Sequence, residues 1–363
     1  MTLRTTALAA LMFGAVALGQ ASAQEAPALK GASPEEKARV GALIEGAVKE
    51  GSLSYWDTVI QPGTNDKLVR AFKERYGLPA AFKVNYTLSQ TGDLVTRIEQ
   101  ELGASRVTID VAAISAPIWV FERMNKGELL EYRSPEYAHY KRIFEAGLGV
   151  DGYFAFNGGY VFVPMWNSEN LDFKGKSYTD MIAAVPEGKL SMGDAANSTT
   201  FLATYMGQRT VLPADFFTKL AAKKPILLRR SEQLAAGLVT GEQTMTLSGM
   251  PTRAYQMNQK GAKLKFVFPK EGVMLLAPST FILAKAPHPN AAKLWIDFIL
   301  SETGQKILTE SEALISGRAG FKSPIPEYSP PIESLNLIKF DWSKLNVQDM
   351  AKAKADWLNT FNP

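Results

Sequence analysis

Cysteine is absent from the 363 residues, and histidine occurs only at His139 and His288. Without thiols the chain can form no disulfide, thiolate zinc site, Cys-ligated iron–sulfur cluster or cysteine nucleophile. An acylated N-terminal cysteine is excluded on the same ground, and two histidines are too few for a His-rich metal centre. Excess charge of one sign is also scarce. The 40 Lys and Arg against 36 Asp and Glu leave a formal +4, far from the clustered basic face that nucleic acid selects. Missing too are a GxSxG elbow, a Walker phosphate loop and an HExxH pair. A serine triad would have to use His139, in a polar aromatic stretch, or His288, between two prolines. A carboxylate pair acting on a glycoside stays open, because separation in space is not written in sequence.

Long apolar runs are limited to one, and it lies at the start. Arg4 precedes Ala7 to Leu18, and the stretch ends in Ala21-Ser22-Ala23. This order of charge, short apolar core and small residues is that of a secretory signal, too short for a spanning helix. Cleavage is expected after Ala23, giving a soluble exported chain with no direct membrane anchor. A single arginine rather than a tandem pair favours the general export route.

Beyond the signal, 46% hydrophobic and 21% charged residues suit a folded chain of about two domains. Val40, Leu43, Ile44 and Ala47 have helical spacing, with Gly51 as a stop. Leu53 to Trp56 reads as a strand, Asn65 as the cap of the next helix, and Phe82, Val84, Tyr86 and Leu88 alternate as a strand does. A helix through Leu94, Val95 and Ile98, a strand from Val107 to Ile114 and a helix from Ile118 to Asn125 follow. This β-α-β-α-β order predicts an α/β fold with parallel strands, whose ligands sit beyond the C-terminal strand ends. A second set, from about residue 153, contains strands at Tyr160–Met165, Lys189–Met192, Lys263–Phe268 and Met274–Leu283. Asn290 is read as the cap of a strong helix, and Val347 to Phe361 as a final amphipathic one.

The strand ends carry the candidate chemistry. In the first set these are Trp56, Asp57 and Thr58; then Ser89, Gln90 and Thr91; then Ser115. In the second, Asp194 precedes Asn197, Ser198, Thr199 and Thr200, a run of donors opening an apolar helix. Helix N-termini favour anions through free N–H groups and the dipole, although ordinary capping uses the same residues. Trp56 is a candidate stacking surface or a core aromatic. Asp57 suits an amine or hydroxyl better than an anion, and Arg253, in the loop from Ser248 through Met250, could pair with carboxylate or phosphate.

Several segments resemble, in order, the type II periplasmic solute-binding proteins of ABC importers, in the branch of ferric-ion, hexose-phosphate and aminophosphonate binders. They include Leu68-Val69-Arg70-Ala71-Phe72, Gly92-Asp93-Leu94-Val95-Thr96-Arg97-Ile98 and Ile109-Asp110-Val111. Gly127-Glu128-Leu129-Leu130-Glu131-Tyr132, Phe268-Pro269-Lys270-Glu271-Gly272, Ala291-Ala292-Lys293-Leu294-Trp295, Ser301-Glu302-Thr303-Gly304-Gln305 and Gly317-Arg318 continue the series. The resemblance implies a two-lobed fold with two crossing hinge strands, near Tyr160–Pro164 and Gly272–Pro278, and a ligand cleft between the lobes. The implied lobes are 24–159 with 276–312, and 160–275 with 313–363. Hinge closure on a small-molecule ligand would be read by an ABC permease in the inner membrane; the binding protein is expected to be a monomer and to hold no cofactor and no nucleic acid.

Iron-holding members of that branch use two adjacent tyrosines where this chain has Met250-Pro251. Their first-turn histidine falls near Ile60 and their acidic ligand near Ser115, so no metal is expected. The expected solute is a small organic anion (phosphonate, phosphate or carboxylate) at Ser198–Thr200. Thr58, Ser89, Gln90, Thr91 and Ser115 would face it from the other lobe, with Tyr160, Ser248, Met250 and Arg253 completing the contacts. A polyamine-like cation held by Trp56, Asp57 and Asp194 is the alternative. Ferric ion and a secreted carbohydrate- or phosphoester-acting enzyme follow.

Overall fold

The computed structural model describes residues 25–361; the expected export signal at 1–23 lies outside them. Among the described residues ten strands form two five-stranded sheets. In the first the order is β2-β1-β3-β10-β4, from Lys83–Leu88, Ser52–Asp57, Val111–Ile114, Ser279–Ile282 and Phe154–Phe156. In the second it is β7-β6-β8-β5-β9, from Ile226–Leu228, Leu190–Gly193, Met245–Gly249, Val163–Asn167 and Leu264–Phe266. In both sheets the three strands at one end are parallel, as the βαβ connections require, and the strands that come from the other lobe run antiparallel to them. Each sheet is one lobe with its own covering helices.

The first lobe begins with the helix Pro34–Glu50, capped by Ser33 and ended by Gly51 in the left-handed conformation (φ 74°). Its partner is Pro289–Ile299, whose Trp295 is fully buried against Tyr55 and Phe72 at ring distances of 5.0 and 5.1 Å. Asn290 does not cap this helix. His288 holds the cap position, and the Asn290 amide instead donates to Glu50 at 2.7 Å. Asn65 is likewise not a cap: Pro62 starts that helix one turn earlier and Asn65 is buried within it. Two strands are shorter than their apolar runs. Val107–Ile114 forms a strand only from Val111, and Met274–Leu283 only over Ser279–Ile282, with Leu276 joined to Tyr160 by an isolated bridge.

Two crossing segments meet as expected. Tyr160 and Leu276 exchange backbone hydrogen bonds at 2.8 Å each way. A third passage adds to them: Gly159 and Ile315 pair at 2.7 and 2.8 Å, taking the chain back to the second lobe after the helix Glu302–Glu312. A Cβ at Gly159 would stand 2.7 Å from the end of the Leu275 side chain, so a larger residue there would have to push that side chain aside. The tail then returns to the second lobe, where Trp357 of the helix Val347–Phe361 packs on Tyr205 at 5.1 Å. Among the described residues no helix is long and apolar enough to cross a membrane.

Candidate functional site

The space between the lobes is a cleft of about 920 Å³, bounded by strand ends of both sheets. The first lobe contributes Thr58 after β1, Gln90 and Thr91 after β2, and Ser115 after β3. The second contributes Asn197 to Thr200 after β6, and Met250 and Arg253 after β8, with Tyr160 at the crossing. Parallel strands place these turns together because all their C-terminal ends point the same way.

The helix Thr199–Gln208 aims its N-terminus into the cleft. Ser198 is its cap, accepting from the Phe201 N–H at 3.4 Å, and the preceding turn is held by Asp194. The Asp194 carboxylate accepts from the Ala196 N–H at 3.0 Å and the Asn197 amide at 2.7 Å. Asp194 is thus a turn brace and does not line the cleft. The helix start rests on Phe201, which covers Gly193 so closely that an alanine Cβ there would meet the ring at 2.2 Å. Gly193→Ala is expected to cost about 1–3 kcal/mol through overpacking and to shift the urea midpoint accordingly.

Other expected contacts lie elsewhere. Trp56 and Asp57 point to opposite faces of β1, as period-two geometry dictates. Trp56 packs into the apolar layer with Leu94, Ile98 and Phe154. Asp57 is fully buried on the other side, where it accepts from Val59 N–H at 2.6 Å, Ile60 N–H at 2.8 Å, the Asn157 amide at 2.8 Å and the Tyr55 hydroxyl. Burial pushes its carboxyl above the usual carboxylate range, against the pull of these donors. Ser89 is not part of the cleft wall, and Ser248 is buried, accepting the Gly193 N–H at 3.0 Å. Tyr160 is in the cleft floor, its hydroxyl 3.4 Å from Ser115 Oγ; burial pushes the phenol up to about 12.

Arg253 reaches the cleft with its guanidinium already engaged, by Glu232, by Gln256 at 2.7 Å and by Ser231 at 3.3 Å. The cations missed in the sequence are Arg229 and Arg230, exposed in the wall immediately after β7. Among the described residues neither forms an ion pair with a carboxylate. The strand-end argument would have found them, had Ile226-Leu227-Leu228 been read as a strand. Lys354 of the tail helix adds a further cation, and Glu232 is the one carboxylate among the described lining residues.

His288 belongs to a Ser-His-Asp arrangement outside the cleft. Its Nε2 is 3.1 Å from Ser52 Oγ and its Nδ1 2.8 Å from Asp110 Oδ2, the distances a hydrolytic triad uses. The nearby helix N-terminus, where an oxyanion would find donors, is filled by the Glu50 carboxylate, which takes Asn290 N–H at 3.0 Å and Ala291 N–H at 2.9 Å. A second negative charge is repelled there, and Asp110 also holds Ser54 N–H and His288 N–H at 2.7 Å. The trio fastens the loop before this helix to β1. Among the described residues no three His, Asp or Glu converge as metal ligands do.

Residues 67–330 match the family model of bacterial extracellular solute-binding proteins. The chain belongs to that family. Solute-binding proteins of this family are the periplasmic, ligand-capturing components of ABC transporters, and the two-lobed architecture is theirs. A substrate-binding protein of an ABC transporter from Agrobacterium tumefaciens superposes with a TM-score of 0.71 at 13% identity, over 86% of this chain and 94% of that one. AfuA from Actinobacillus pleuropneumoniae, with fructose-6-phosphate bound, gives 0.67 at 20% identity over 85% and 98%. Iron-bound HitA from Pseudomonas aeruginosa gives 0.67 at 18% identity over 84% and 99%. At these identities the likeness is one of fold. The comparison with curated proteins returns no match.

Proposed function

We propose that this solute-binding protein captures a small organic anion, bearing a phosphonate, phosphate or carboxylate group, and delivers it to an ABC permease. The observation that carries this reading is the charge of the cleft wall: Arg229, Arg230, Arg253 and Lys354 against Glu232 alone. The anionic group lies at the start of the helix Thr199–Gln208, where the first N–H groups have no intrahelical partner. Arg229 and Arg230 reach it from the neighbouring strand end. Gln90, Thr91 and Ser115 donate from the other lobe, with Thr58, whose hydroxyl donates to the Ala113 carbonyl at 3.2 Å, lining the wall and Tyr160 beneath.

The amine alternative rested on Trp56, Asp57 and Asp194, none of which lines the cleft. An Asp57→Asn change therefore reads stability and not ligand charge. Iron capture would have to use the thioether of Met250 where hard oxygen ligands are wanted. On this reading the lobes 24–159 with 276–312 and 160–275 with 313–363 close as rigid bodies on the solute. The exported chain starts after Ala23, acts as a monomer, binds no nucleic acid and performs no catalysis.

A thermal-shift screen of phosphonates, sugar phosphates, carboxylates, amines and ferric salts tests the proposal. An anion at 100 times its dissociation constant should add about 2.7 kcal/mol of stability. Stabilisation by amines or ferric salts alone would overturn it, and turnover of a stabilising phosphoester would replace binding by catalysis.

A further inference from the structure

A second cavity, of about 290 Å³, opens beside the cleft. Its walls include Ile118 and Phe121 of the first lobe, Leu148, Leu276 of the crossing segment, and Trp342 and Met350 of the tail. Ser115, Thr199 and Thr200 line both spaces, so the anion-holding helix start is also the rim of an apolar chamber. Glu122 is the one charged residue in that chamber's lining among the described residues. An apolar cavity of roughly 150 Å³ already holds benzene, and this one has about twice that room.

We propose that the chamber is a subsite for an aromatic or branched aliphatic group carried by the same solute whose head sits at Ser198–Thr200. The identity of the head rests on the anion reading above; the apolar character of the body does not. A body rich in hydroxyls, such as a sugar, would lose its water hydrogen bonds against Ile118, Phe121 and Leu276 without replacement, whereas a hydrocarbon body gains by leaving water. The chamber also draws on both lobes. Trp342 lies against the first-lobe helix Pro117–Asn125, while the helix that follows it is tied to the second lobe by Arg209–Asp356 at 2.7 Å. Hinge closure therefore tightens the chamber and the cleft together.

The test is calorimetric titration of the full exported chain with three matched pairs: methylphosphonate and benzylphosphonate, acetate and phenylacetate, methylamine and benzylamine. The benzyl member of an anionic pair should bind at least about tenfold tighter than its partner. Ile118→Trp, which fills the chamber, should abolish that advantage and leave the small anion within about twofold. Ala277→Leu, filling the same space from the crossing segment, serves should the tryptophan variant misfold. Equal affinity within the anionic pairs would overturn the subsite and leave the anion reading intact. A benzylamine preference lost in Ile118→Trp, with no anion bound, would keep the subsite and overturn the anion reading. Binding of none of the six would overturn both.

Discussion

Reversing the two exposed cleft arginines, Arg229→Glu with Arg230→Glu, is expected to weaken binding of the stabilising anion by about 100-fold. A hydrogen bond to a charged group contributes roughly 1.5–3 kcal/mol, and two such bonds lost correspond to at least two decades of affinity. The change should leave folding almost untouched, since both side chains are exposed and form no ion pair among the described residues. Arg253→Gln should behave differently. Its guanidinium already serves Glu232, Gln256 and Ser231, so its loss should loosen the wall and reduce affinity less. Titration of the variants at two salt concentrations separates the cases. Affinity in the double variant within threefold of the parent would remove the arginines from the site.

The second large effect concerns stability. Asp57→Ala is expected to cost about 3–5 kcal/mol, read as a fall in the denaturant midpoint at unchanged slope. The carboxylate is fully buried, and its removal strands the N–H groups of Val59 and Ile60 and the amide of Asn157. Asn157 is where the chain leaves the first sheet, and Gln305 bonds its carbonyl at 3.0 Å, so the damage reaches the crossing. Its pH dependence has a definite sign. Because burial raises the Asp57 carboxyl above its ordinary value, the native state binds that proton more tightly than the unfolded chain. The cost of keeping the charge buried is full above the raised value and is relieved as pH falls through it. The advantage of the parent over Asp57→Ala should therefore widen on acidification. A narrowing would mean that the four donors, and not burial, govern this carboxyl.

Much of the first lobe was legible before any coordinates. Gly51 as a helix stop and the alternation of Phe82 to Leu88, like the donor run at Asn197–Thr200 in the second lobe, all depend on neighbours a few residues away. Helix and strand periods and terminal caps are local, so local order records them. Asn65 and Asn290 misled because each has a proline at or before it that starts the helix earlier, and because each side chain is buried or bonded across the lobe. Trp56 and Asp57 could have been separated on sequence alone: adjacent residues of one strand cannot face one ligand.

What the sequence by itself determined is the order of the elements, the α/β class, and the turns that stand at strand ends. It also carried the ordered family segments and the absence of thiol chemistry. Only the tertiary structure decided which of those turns share a wall, that Asp57 is buried against Asn157 away from the cleft wall, and that Arg229, Arg230 and Lys354 stand exposed in it. It alone revealed that Gly159 pairs with Ile315 and that an apolar chamber is closed by a tail more than 60 residues beyond the crossing segment that lines it. The reason is physical. A strand's face and a helix's cap are set by neighbours along the chain, whereas a cleft is set by how two separately packed lobes meet across segments remote in sequence.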